Sequence, residues 1–228
     1  GFAAEALAKK QELSFNVGTE PETLDPAKST GVPEAIIELN CFEGLTRMDE
    51  NNVPQPAIAE SWTISKDGKT YIFKLRKTKW SNGEALTAHD FEWSWKRALA
   101  PETASEYATQ LWYLKNGQAY NEGTLKDASK VGVRAIDDYT LEVVLENPTT
   151  YFLQLCNFPT LMPVNRKVVE KNPDGWFQDI KNYVGNGPFK IVKWEHSAVM
   201  ELVPNENYWR RDKVKLDKLV LYLIDNRQ

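Results

Sequence analysis

The stretch WTISKDGKTYIFKL, from Trp62 to Leu75, sets apolar and polar residues in alternation on either side of an Asp67-Gly68 pair. A period of two sends successive side chains to opposite faces of a pleated ribbon, and Asp-Gly between two such runs signals a hairpin. Tyr71, Phe73 and Leu75 fall on one face and Ile72 and Lys74 on the other, which demands a sheet with one covered side. VGVRAIDDYTLEVVL repeats the logic around Asp137-Asp138, with Val131, Val133, Ala135, Leu141, Val143 and Leu145 in alternation. The apolar faces need a second layer, and helical segments lie between the hairpins, so the chain reads as a mixed α+β fold.

One such helix starts inside KWSNGEALTAHDFEWSW, Lys79 to Trp95. Asn82-Gly83 turns the chain, and Thr87 followed three residues later by Asp90 matches a helix N-cap with a reciprocal acid. The helix then runs from about Ala88 to Leu99, with Phe91, Trp95, Ala98 and Leu99 as its buried stripe. His89 and Asp90 are neighbours in sequence but point about 100° apart on a helix, so they do not face a common substrate.

Towards the ends, Leu13 to Val17 alternates like a strand, and a loop leads to a helix with Pro33 in its first turn. Ile36, Ile37, Cys41 and Gly44 space out one buried face, and a change of domain falls near Gly44. Short strands flank a turn at Asp49 to Asn52. Further on come the apolar helix candidate TTYFLQLC, a short helix over residues 165–171, and a hairpin of residues 188–194 and 199–203. A last strand covers residues 219–224. GNGPF at Gly185 to Phe189 precedes a strand, whereas a phosphate cradle opens a helix, so it reads as a tight turn.

At 228 residues and 42% hydrophobic content the chain can bury a sizeable core. It contains no run of 18 apolar residues, and GFAAEALAKK lacks both the basic leader and the apolar core of a secretion signal. The net charge of -4 comes from acids and bases spread along the chain, without the basic block that nucleic acid requires. Cys41 and Cys156 sit in no C-x-x-C and in apolar surroundings, which favours two buried free thiols. His196, in a hairpin turn without a second histidine or cysteine nearby, reads as a solvated histidine; no metal or cofactor is expected. The carboxylate pairs Glu20 with Glu22 and Asp137 with Asp138 lie in loops and read as turn formers, leaving a glycosidase as a distant alternative. No nucleophile elbow, Walker loop or zinc-protease motif occurs, and no enzyme emerges from the residues.

Three segments carry a resemblance: TEPETLDP near the start, FEGLTRMDENNVPQPAIAESW continuing to PETAS in the middle, and VGNGPFKIVKWEHSAVMELVPNENYW near the end. In this order and at about this spacing they resemble the extracytoplasmic solute-binding proteins of oligopeptide and dipeptide ABC importers. The resemblance extends over nearly everything after Leu13, and GVPEA and PETASEY favour the oligopeptide branch. Receptors of the same fold for oligosaccharides or a nickel chelate are the nearest alternative.

The resemblance implies a periplasmic-binding-protein type II-like α/β lobe with an inserted smaller α+β domain and a second lobe absent from this chain. Residues 1–12 would be a flexible lead-in, 13–44 and 165–228 the first lobe, truncated at the hinge, and 45–164 the inserted domain. It further implies an oligopeptide ligand held between lobes, an ABC permease as partner, and a place outside the cytoplasm, in the periplasm or lipid-anchored at the outer face of the cell membrane. Unpaired sheet edges would favour self-association. Thr30, Gly31, Val32 and Pro33 match the family segment beside the peptide backbone, and Tyr107 matches a tyrosine that reaches the ligand. On the residues alone, Val32 and Pro33 equally shape a helix start, and Tyr107 equally suits a core aromatic.

Overall fold

The structure, a computed structural model, describes residues 10–224; residues 1–9 of the expected lead-in and residues 225–228 near the expected hinge lie outside the described residues. Strand β1 (Glu12–Asn16) leads through a long loop to helix α1 (Val32–Cys41) and a ribbon of β2 (Thr46–Met48) and β3 (Pro54–Pro56). Next come β4 (Ala59–Ile64), β5 (Thr70–Leu75), β6 (Thr78–Lys79), β7 (Ala85–Leu86) and helix α2 (Ala88–Leu99). Short helix α3 (Gly117–Asn121) precedes β8 (Val133–Asp137) and β9 (Thr140–Val144). Helices α4 (Phe152–Leu155) and α5 (Arg166–Lys171) then lead to β10 (Phe189–Glu195), β11 (Val199–Pro204) and β12 (Lys218–Tyr222).

The two hairpins read from sequence form one antiparallel sheet in the order β4-β5-β9-β8. Tyr71, Phe73 and Leu75 are buried and Lys74 is exposed, as the alternation requires. Helix α2 packs on this sheet through Phe91, Trp95, Ala98 and Leu99, all fully buried. At its start the Thr87 N–H donates to Asp90 Oδ2 at 2.8 Å. Burial, the largest influence on the Asp90 carboxyl, lifts its pKa above the ordinary carboxylate range. Trp95 Nε1 donates to the Leu161 carbonyl at 2.8 Å, and the Val164 N–H donates to Ser94 Oγ at 2.8 Å. The aromatic segment is thus scaffold. His89 does not pair with Asp90 but lies 3.2 Å from Asp138 across the sheet end.

The second sheet has the order β1-β12-β11-β10, with β1 and β12 parallel and the remaining pairs antiparallel. Leu219, Leu221, Met200, Leu202 and Ile191 share its buried face. Strand β1 forms where the alternation of Leu13 to Val17 placed a strand, but all five of its residues are exposed. Leu13 and Phe15 pair in register with Leu219 and Leu221, yet remain 50% and 36% exposed, because the packing over that face stops short of them.

Three further differences have physical reasons. The glycines of GNGPF serve close backbone approach: a Cβ on Gly185 would stand 2.0 Å from the Cys41 carbonyl, and one on Gly187 2.6 Å from the Phe42 nitrogen. Helix α4 is shorter than its apolar run suggests, since Phe158 before Pro159 is extended (φ -77, ψ 142). The buried side of α1 is not wholly apolar, for Glu34 and Glu38 join Ile37 and Cys41 while Ile36 is only half-buried. Ser29 donates to Glu38 Oε1 at 2.6 Å, whereas Glu38 Oε2 has no hydrogen-bond partner among the described residues. Burial holds the Glu38 carboxyl well above its ordinary pKa. Cys41 and Cys156 are free and buried, and burial pushes both thiols up.

A buried carboxylate joins the parts. Asp25, wholly inaccessible, receives both guanidinium nitrogens of Arg97 from α2 (Nη1 at 3.0 Å), Trp176 Nε1 at 3.2 Å and its own loop's Ala27 N–H at 3.0 Å. Arg97→Ala, which strands this charge, is expected to cost about 3–5 kcal/mol in urea unfolding. Arg166→Ala, removing a solvent-exposed pair with Glu170, should cost about 0.5 kcal/mol or less. A raised Glu38 pKa means that the folded state binds its proton more tightly, so this residue's contribution is favourable at acid pH and is lost as pH rises above the unfolded value. The stability of Glu38→Gln relative to the parent should therefore increase from pH 4 to pH 8 in parallel unfolding titrations.

Candidate functional site

The loop after β1 enters α1 through Gly31, whose extended backbone (φ -99, ψ 160) caps the helix without a side-chain bond to its free N–H groups. A Cβ on Gly31 would come within 2.1 Å of Glu34 Oε2, so a larger residue there would displace the Glu34 carboxylate. Glu34 is held in turn, since its Oε1 accepts the Glu22 N–H at 2.8 Å. Val32, the first helical residue, projects outward and is 73% exposed.

Tyr107 arrives from the other side. Ala104, in the left-handed region at φ 54, reverses the chain after the short helical turn at Pro101–Thr103. The Tyr107 ring then stands edge-on to Phe158 at 5.6 Å, and its hydroxyl donates to the Thr30 carbonyl at 3.4 Å, a bond spanning 77 residues of sequence. Phe158 and Pro159 are set by the short turn at Pro159–Leu161, which the Trp95 indole anchors.

These segments enclose a shallow groove of about 190 Å³ lined by Ser29, Thr30, Gly31, Val32, Ala35, Tyr107, Phe158 and Pro159. Of the residues singled out from sequence, Thr30, Gly31, Val32 and Tyr107 share it. Pro33 does not line it and sits in the first turn of α1. Sequence reasoning missed Ser29, Ala35, Phe158 and Pro159. Ala35 carried a signal, three residues after Val32 and hence on the same helix face; Phe158 and Pro159 are brought in only by tertiary packing.

The groove is mostly apolar, and no titratable side chain but Tyr107 lines it. It offers carbon surface, an aromatic hydroxyl and main-chain groups at a helix start, which suits holding a ligand rather than transforming it. Of the acids considered for catalysis, Glu20, Asp137 and Asp138 have structural partners. Glu20 receives His196 Nδ1 at 2.7 Å and the Ser197 N–H at 2.5 Å, so His196 is not merely solvated but ties two loops. Asp137 accepts the Tyr139 N–H at 2.9 Å, and Asp138 faces His89. Among the described residues, no group of three or more His, Cys, Asp or Glu is placed to hold a metal, and no helix is long and apolar enough to cross a membrane.

The geometry has close counterparts. The oligopeptide-binding protein OppA of Bacillus subtilis is 44% identical over 220 residues, an alignment covering 95% of this chain and 40% of that protein. The substrate-binding domain of an oligopeptide ABC transporter from Bacillus anthracis superposes with a TM-score of 0.92 at 43% identity, covering 95% of this chain and 42% of the other. Haemophilus influenzae OppA in complex with the peptide RPPGFSPFR gives 0.91 at 38% identity, covering 95% and 42%. The chain thus spans about two fifths of the length of these relatives. The sequence pattern of the middle part of the bacterial extracellular solute-binding proteins, family 5, matches residues 53–228. With that match and a fold shared at this level of identity, the chain belongs to the bacterial extracellular solute-binding proteins, family 5.

Proposed function

We propose that this chain supplies one wall of the ligand cleft of an oligopeptide receptor serving an ABC importer. The observation that carries the reading is the meeting of Thr30–Val32 with Tyr107 in one groove, bridged by the Tyr107–Thr30 bond. An extended peptide laid against Thr30 and Gly31 meets main-chain groups, while the apolar floor of Ala35, Phe158 and Pro159 takes a side chain without demanding one shape. Such a site captures by contact and requires no chemistry.

The division into lobes belongs to the same proposal. The sheet β1-β12-β11-β10 takes its strands from both ends of the chain, and β4-β5-β9-β8 takes its strands from the middle. This supports residues 13–44 and 165–228 as a first lobe and residues 45–164 as an inserted unit. The opposing wall would come from the remaining length that the relatives possess, and ligand would shift an open–closed equilibrium of the two walls recognised by a membrane permease. The receptor would work outside the cytoplasm, in the periplasm or lipid-anchored at the outer face of the cell membrane.

Calorimetry with a mixed pool of tripeptides to pentapeptides should show binding by a protein of the relatives' full length and little or none by the 228-residue chain. Tight binding by the short chain would contradict the need for two walls. In the longer protein, Tyr107→Ala should weaken binding about tenfold, or ~1.4 kcal/mol. Unchanged affinity would assign Tyr107 to scaffold alone.

A further inference from the structure

We propose that Glu38 is a positioning residue of the groove: through the Ser29 hydroxyl it holds the edge Ser29 to Gly31 in the place where the Thr30 carbonyl meets Tyr107. Its consequence for affinity rests on the groove being the peptide site, whereas the positioning itself is measured without ligand.

The edge is fastened from α1. Its loop winds onto Asp25, whose carbonyl accepts the N–H groups of Lys28 at 2.9 Å and Ser29 at 3.0 Å. Ser29 lines the groove, is 7% exposed, and donates its hydroxyl to Glu38 Oε1 at 2.6 Å. Next along the chain, the Thr30 carbonyl accepts from the Tyr107 hydroxyl at 3.4 Å. The Glu34 carboxyl stands against Gly31 and is itself held by the Glu22 N–H at 2.8 Å. Glu34 and Glu38 are one turn apart on the buried side of α1. Two acids of one helix face thus support three consecutive residues of the groove's edge.

For packing alone, Glu38 is an unfavourable choice. It is wholly inaccessible, and its Oε2 has no hydrogen-bond partner among the described residues. The charges that face it, Asp25 and Glu34, have its own sign, and the Cys41 thiol and Tyr183 hydroxyl beside it are buried as well. The Tyr183 hydroxyl is already committed to the Leu24 carbonyl at 2.6 Å. Burial above all, opposed by the Ser29 bond, favours the protonated acid. A leucine at this point of α1 would fill a similar volume and leave no carboxyl oxygen unpaired. Leucine cannot accept from Ser29. A side chain that costs the fold, and whose one printed side-chain bond goes to the groove's edge, is placed for the groove.

Three variants separate positioning from packing. Glu38→Gln keeps an acceptor for Ser29, Ser29→Ala removes the donor, and Ser29→Ala with Glu38→Leu replaces both partners by apolar groups, which leaves stability nearly unchanged. In hydrogen exchange read by mass spectrometry on this chain, the Lys28 and Ser29 amides should exchange about fivefold faster in the double variant than in the parent, the worth of one hydrogen bond. Its urea midpoint should not fall. Ser29→Ala alone should loosen the same amides, and Glu38→Gln should match the parent. In a protein of the relatives' full length, the double variant should bind a pool of tripeptides to pentapeptides about tenfold more weakly, because its edge is no longer preformed, and Glu38→Gln should bind as the parent does. Parent-like exchange in Ser29→Ala and the double variant overturns the proposal, as does exchange in Glu38→Gln as fast as theirs. Faster exchange with unchanged peptide affinity overturns it too. A full-length parent that binds no peptide contradicts the receptor reading instead, and the exchange rates then decide the positioning.

Discussion

Asp25 is the point on which the three stretches of this chain converge. A carboxylate with no solvent contact must find donors, and it finds them in Arg97 from α2, in the Trp176 indole after α5, and in its own loop. A second buried acid, Glu43, does similar work just past α1. It accepts from the Tyr208 hydroxyl and, at 2.6 Å, from Trp209 Nε1; its burial, outweighing these bonds, raises its pKa. Arg76 at the end of β5 lies 3.7 Å over the Trp209 ring. The loop before α1, the middle sheet with its helix, and the C-terminal sheet are therefore locked together by polar groups that water does not reach.

This locking matters for the groove because its walls come from different stretches. Thr30 to Val32 follow Asp25 by a few residues, while Phe158 and Pro159 are placed by α2 through Trp95. Gly185 and Gly187 let the C-terminal segment approach the end of α1 at backbone distance, and Asn186 donates to the Glu43 carbonyl at 2.8 Å. Each contact limits the relative movement of the groove's two sides. A preformed wall of this kind loses little entropy when a ligand settles on it.

Much of this was legible in the residues. Alternation around Asp67-Gly68 and Asp137-Asp138 specified both hairpins of the middle sheet, and Thr87 with Asp90 specified the start of α2. These signals are local, set by turn chemistry and by which side chains share a face. The long-range polar contacts were not legible. Glu34 and Glu38 look like solvated helix residues, and nothing in the spacing tells that Asp25 meets Arg97 at a sequence distance of 72. Leu13 and Phe15 alternate as a half-buried strand would, but alternation does not report where the covering layer ends. Thr30, Gly31, Val32 and Tyr107 came from family resemblance; that they share a groove is tertiary information.

The central claim is that the groove beside Val32 is one wall of a peptide cleft. A photocrosslinking amino acid in place of Val32, in a protein of the relatives' full length, tests it most directly. Val32 projects to solvent, so the substitution leaves the packing of α1 intact. Irradiation with an oligopeptide pool should attach peptide at this position, detected by mass spectrometry and suppressed by excess unlabelled peptide. Crosslinking to solvent alone, with peptide bound to the same sample by calorimetry, would place the cleft elsewhere and contradict the account.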